Sequence, residues 1–264
     1  LSNNTKRHNW TRADTILALE LYYLLPPATL NNKADPKIQA LAAAIGSTAG
    51  SVKARLQNFK SLDPFYTATG RAGLPGYSAQ DAEIAKEFMG QWSRLIATAA
   101  DLKEKIGLTD NYQPLPSRPK ERIETAEAIG ADVYRSQKMR QGQSFFRAAV
   151  LAAYNNRCCI TGMKLPALLR ASHIKPWSAA DSNEKLNPSN GLLLNALLDA
   201  AFDKGYFTVL PNYKITLAQE ILDSKDEAIH AAFLPYAKQE IHLPSRFPPD
   251  RIFLEYHNDC IFQN

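Results

Sequence analysis

Apolar residues recur at helical spacing through most of the first hundred positions. Ile16, Leu17, Leu19, Leu21 and Leu24 run together with Tyr22 and Tyr23, which predicts a buried helix. Asn9 or Thr11 serves as its N-cap, and Asp14 suits the positive end of the helix dipole. Pro26 and Pro27 stop it. Pro36 opens a second helix on Ile38, Leu41, Ala42 and Ile45, closed by Gly46. After a short turn, a third is expected over about 51–62, with Val52, Leu56 and Phe59 on one face. Ser78 caps what reads as one long helix over 79–106, its stripe being Ile84, Phe88, Trp92, Leu95, Ile96, Ala99 and Leu102. The period then fails, and the prolines 114, 116 and 119 predict an extended linker. Helices are expected again over about 120–133 and 144–155, the second carrying Phe145, Phe146, Ala149, Val150 and Tyr154. Beyond Arg157 the pattern changes to a short apolar strand ending at His173, a polar loop over 178–189, and a second strand over 191–194. A helix to Lys204, a hairpin around Pro211 and Asn212, and a helix-rich segment over 217–240 follow. The expected fold class is mainly α with a small ββα unit, hence α+β. Residues 1–113 form a helical domain, 114–122 the linker and 123–264 a second domain.

The third helix carries Lys53, Arg55, Gln57, Asn58 and Lys60 away from its apolar face. Three short helices with a tight turn before the third resemble a helix-turn-helix or Myb-like arrangement. In that arrangement Lys53, Arg55, Gln57 and Asn58 would read base edges in a major groove; the competing reading is an ordinary solvated helix face. A second basic group, Arg135, Lys138, Arg140 and Arg147, leads towards His173 and suits phosphate neutralisation. The net charge of +5 and a pI of about 9.0 agree with an anionic partner. Cys158, Cys159 and Cys260 contain no C-x-x-C pair, which argues against a zinc ribbon and for reduced thiols in the cytoplasm. Leu1 to Asn9 read as a polar lead-in with no signal peptide. No apolar run approaches the ~20 residues of a membrane span.

Hydrolysis of a phosphodiester needs an activated water, charge stabilisation at the phosphate and help for the leaving oxygen. A neutral imidazole suits the first task, and a divalent cation the other two. His173 lies at the end of a strand facing a polar loop, Asn190 starts the next strand, and Asp199 and Asp203 lie one turn apart on the following helix. That grouping in one small unit marks His173 as functional rather than structural.

Arg157-Cys158-Cys159-Ile160-Thr161-Gly162, Ala171-Ser172-His173-Ile174-Lys175-Pro176-Trp177, Asn187-Pro188-Ser189-Asn190-Gly191-Leu192-Leu193-Leu194 and Asp199-Ala200-Ala201-Phe202-Asp203-Lys204-Gly205 resemble the HNH (ββα-metal) endonucleases, in the bacterial branch of restriction type. The stretch 10–64 resembles a helical domain that accompanies such nucleases. The resemblance implies that His173 is the general base and that Asn190 braces the loop and orients it. It implies Asp199 as a metal ligand, with Asp203 and His257 as further candidates. Ser172 stands where many members carry an acid that binds the metal, and a hydroxyl is a poor replacement. The oxygen-rich set points to Mg²⁺ or Mn²⁺. Arg157, Lys175 and Lys204 are candidate phosphate contacts. The function implied is a DNA endonuclease of restriction or defence type acting on double-stranded DNA, and one active site per ββα unit favours a homodimer for a double-strand cut. The alternative is a catalytically impaired DNA-binding protein or regulator.

Overall fold

Short polar side chains set where the helices begin. Thr11 caps α1 (Arg12–Leu24) in a capping box with Asp14, and Asp35 caps α2 (Pro36–Ala44). Thr48 caps α3 (Ala49–Leu62). After α4 (Pro64–Ala68), Ser78 and Asp81 form a second capping box at α5 (Ala79–Phe88). The structure, a computed structural model, describes residues 8–68, 70, 76–108 and 131–264, with backbone only for 131–138. The expected lead-in up to residue 7, the linker over 114–122 and the helix from 120 to 130 lie outside these residues. The chain divides into two compact units, Leu1–Phe145 and Phe146–Asn264.

In the first unit α1 is the centre, packed by α2, α3, α5 and α6 (Trp92–Lys105). Every residue from Thr15 to Leu24 is buried, so the polar ones need partners. Tyr22 donates to Asp63 at 2.7 Å, and Glu20 forms a buried ion pair with Lys103 at 2.6 Å. The single helix expected over 79–106 is two. α5 ends at Phe88, Gly90 sits at φ +78, and α6 restarts at Trp92. The turn is short enough to keep Ile84, Phe88, Trp92 and Leu95 all in the core, so the apolar period does not register it.

α7 (Ala131–Ala153) crosses the division between the units and starts well before the helix expected from Ser144. In the second unit its residues Phe146, Val150 and Ala153 join a core with Leu169, Leu192–Leu194, Leu198, Phe202 and Phe207. β1 (Leu169–His173) and β2 (Gly191–Asn195) are antiparallel, running from Leu169 opposite Asn195 to His173 opposite Gly191. α8 (Ala196–Asp203) begins at once, with Asn195 accepting from Leu198 N as its cap, and packs back on both strands. β3 (Phe207–Val209) and β4 (Ile215–Leu217) form a second antiparallel pair. α9 (Gln219–Leu222), α10 (Glu227–Phe233) and α11 (Arg251–Cys260) follow. No helix among the described residues is long and apolar enough to cross a membrane.

Gly205, at φ +74, joins α8 to β3 beneath the chain's last residues. Its carbonyl accepts from Gln263 N at 3.0 Å, and a Cβ there would run into the Ile261 carbonyl. Gly205→Ala is therefore expected to lower the unfolding free energy by more than about 1 kcal/mol. Urea denaturation measures it, and a midpoint equal to wild type would show that the C-terminal residues give way freely.

Candidate active site

Asn190 is 0% exposed, so its carboxamide must be satisfied by protein. Its Oδ1 accepts from Lys175 N at 2.8 Å, and its Nδ2 donates to the carbonyls of Lys175 and Glu184, each at 3.2 Å. The two ends of the polar loop are thereby tied together. Inside the loop, Lys175 Nζ pairs with Glu184 Oε2 at 2.7 Å, and the same oxygen accepts from Asp181 N. The residue after Glu184 is Lys185, whose carbonyl faces His173 Nε2 at 2.9 Å. A carbonyl only accepts, so Nε2 carries the proton and Nδ1 presents a lone pair. Phe146 stacks on one face of the imidazole, with centroids 3.9 Å apart and planes 9° from parallel. The Trp177 ring meets it edge-on at 5.5 Å. Burial pushes the His173 pKa below its ordinary 6.5, against the opposing pull of the Lys185 carbonyl.

Ser172 is 3% exposed, and its Oγ has no hydrogen-bond partner. As its neighbour along the strand, it points to the opposite face of β1 from His173. Asp199 lies in the first turn of α8 and is buried. Arg147, on α7, donates to the Leu169 carbonyl at 3.0 Å and the Pro166 carbonyl at 3.4 Å. Burial and the nearby Arg170 charge lower the Arg147 pKa, while the Asp199 charge raises it. Asp203 is exposed at the end of α8. Among the described residues no group of three or more His, Cys, Asp or Glu side chains is placed to hold a metal ion.

The other sequence candidates are distributed differently. Arg55 pairs with the buried Asp81 and lies over the Trp10 ring at 4.3 Å, while Asn58 donates to Asp81 at 2.9 Å. Both residues therefore hold α3 to α5 instead of standing free on a reading face, which leaves Lys53 and Gln57, half-buried, on that helix. Arg140 and Arg157 are exposed; the side chains of Arg135 and Lys138 lie outside the described residues. Lys175 is committed to Glu184 and lies 5.5 Å from the Tyr256 ring centroid. His257 is a core residue rather than a ligand. Its Nδ1 contacts Thr208 Oγ1 at 3.0 Å, its Nε2 donates to the Phe202 carbonyl at 3.1 Å, and it stacks on the Phe202 ring. Lys185 and Glu184 carry no side-chain signal for their backbone roles. Phe146 read only as a core position.

His257 yields a stability prediction. Burial lowers its pKa from 6.5 to about 4, partly opposed by the Phe202 carbonyl. The unfolded chain thus binds the extra proton first as pH falls, so the stabilisation is complete above about 6.5 and is lost on descending towards 4. The loss is about 3 kcal/mol at most. His257→Gln should be less stable at pH 7 and lack this acid slope, as followed by urea titrations at several pH values. A slope unchanged in the variant would assign it to other groups.

No curated protein matches the chain. Residues 158–210 match the family model of the HNH endonucleases, and this span takes in β1, the braced loop, β2, α8 and β3. The segment that holds His173, Asn190 and Asp199 is thus the part of the chain that is similar to the HNH endonucleases.

Proposed function

We propose that the chain is a metal-dependent DNA endonuclease of restriction or defence type, with His173 as general base. The observation that carries this reading is the Lys185 carbonyl on His173 Nε2. It selects the tautomer whose Nδ1 can take a proton from water, and no second side chain among the described residues occupies that nitrogen. Asn190 acts through the backbone, by fixing the loop whose carbonyl holds the imidazole. HNH nucleases generally use a divalent metal ion. The Asp199 carboxylate is a hard oxygen donor that fits Mg²⁺ or Mn²⁺; Ser172, a weak hydroxyl donor buried on the other face of β1 from His173, and Asp203, exposed at the end of α8, are lesser candidates beside it. When bound, such an ion would stabilise charge at the phosphate. The exposed Arg140 and Arg157 would neutralise backbone phosphates of double-stranded DNA. Lys53 and Gln57 remain the candidates for base contact on α3. One His173 per chain favours a homodimer for cutting both strands, in the cytoplasm.

A second reading is a DNA-binding protein or regulator that retains the fold with impaired catalysis. Ser172 in place of an acid is the observation in its favour.

His173→Ala is expected to lower Mg²⁺-dependent plasmid nicking by at least about 100-fold. Its DNA affinity in a mobility-shift assay should stay near wild type. Nicking at the wild-type rate would remove His173 as the base. Supercoiled plasmid that survives wild-type protein across a wide range of Mg²⁺ and Mn²⁺ would establish the second reading.

A further inference from the structure

Gly191 has φ −132 and ψ 137, extended backbone that any residue adopts. Its glycine is not required by conformation, so the reason lies in space. A Cβ at this position would stand 2.6 Å from Val150 Cγ2, 2.9 Å from Phe146 Cζ and 3.1 Å from the Pro188 carbonyl oxygen. Phe146 and Val150 are four residues apart and share one face of α7. Gly191 is the register partner of His173 across the hairpin. The missing side chain therefore lets α7 settle on the hairpin directly beside the imidazole, with the Phe146 ring flat against it.

We infer that Phe146 is a positioning residue for His173 and that Gly191 is glycine so that Phe146 can reach it. This rests on the reading of His173 as the base. A single hydrogen bond from Nε2 leaves an imidazole free to swing about that bond. The stacked ring removes that freedom by fixing the plane, and Trp177 closes on the ring edge-on. Together the Lys185 carbonyl and the Phe146 face determine where Nδ1 points.

The test uses Phe146→Met, which keeps much of the volume and loses the ring, with Gly191→Ala and the double variant. NMR of the full chain with labelled histidine reads the stack without reference to activity. The ring-current shift on the His173 carbon-bound protons should disappear in Phe146→Met and diminish in Gly191→Ala. Cleavage kinetics should show kcat lower by about tenfold to a hundredfold, with KM for DNA little changed. The two losses should be strongly non-additive, because Gly191 acts through Phe146. A lost ring-current shift with unchanged kcat, or losses that multiply as independent effects, would overturn the inference. If His173→Ala itself cleaves normally, the base assignment fails instead, and the NMR result still reports the stack.

Discussion

A buried carboxamide has donors and acceptors that water can no longer serve, and leaving them unpaired costs about 1–3 kcal/mol each. Asn190, at the end of one loop, meets that demand with backbone groups at the loop's start and in its middle. The loop consequently cannot relax independently of β2. Lys185 follows Glu184 directly, so the carbonyl that holds His173 inherits its position from the one that Asn190 holds. The Lys175–Glu184 pair adds a second tie within the same loop. Its screened, partly exposed charges contribute less than the buried amide does.

The first unit applies the same physics to Asp81. This carboxylate is 0% exposed, and it accepts from Ser78 N as part of a capping box and from Asn58 Nδ2, and pairs with Arg55. Truncating one partner of such a network leaves a charge uncompensated. Arg55 and Asn58 look from the sequence like residues with spare hydrogen-bonding capacity on a helix face. The buried carboxylate on α5 uses that capacity, and the pattern of α3 alone carries no trace of it.

That contrast explains what could be read from the chain. The caps at Thr11 and Ser78, the prolines at 26 and 36 and the ββα order of strand, loop, strand and helix are local signals, decided within a few residues. The break at Gly90 escaped because a turn of a few residues leaves the apolar stripe in phase. The partners of Arg55, Asn58 and His257 are tertiary, with His257 paired to Thr208 and Phe202 from elements far along the chain. The Lys185 carbonyl is invisible for a different reason: every residue has one, and only the fold selects which of them meets an imidazole.

On the proposed reading, the two halves of the chemistry are built to different degrees. The base half is complete in the protein alone, with hydrogen bond, stacked ring and braced loop all in place. The cation half has a buried hydroxyl without a partner on one face of β1 and a carboxylate on α8 that already feels the Arg147 charge. A guanidinium near a carboxylate opposes the approach of a second cation, and a serine hydroxyl adds no negative charge to offset it. A phosphate group brings that charge with it, and a small hard cation accepts phosphate and water readily among its oxygen ligands. On that reading metal and DNA would bind with mutual assistance rather than independently. Such coupling would make the presence of the substrate a condition for assembling the cation half, while the imidazole stands ready beforehand.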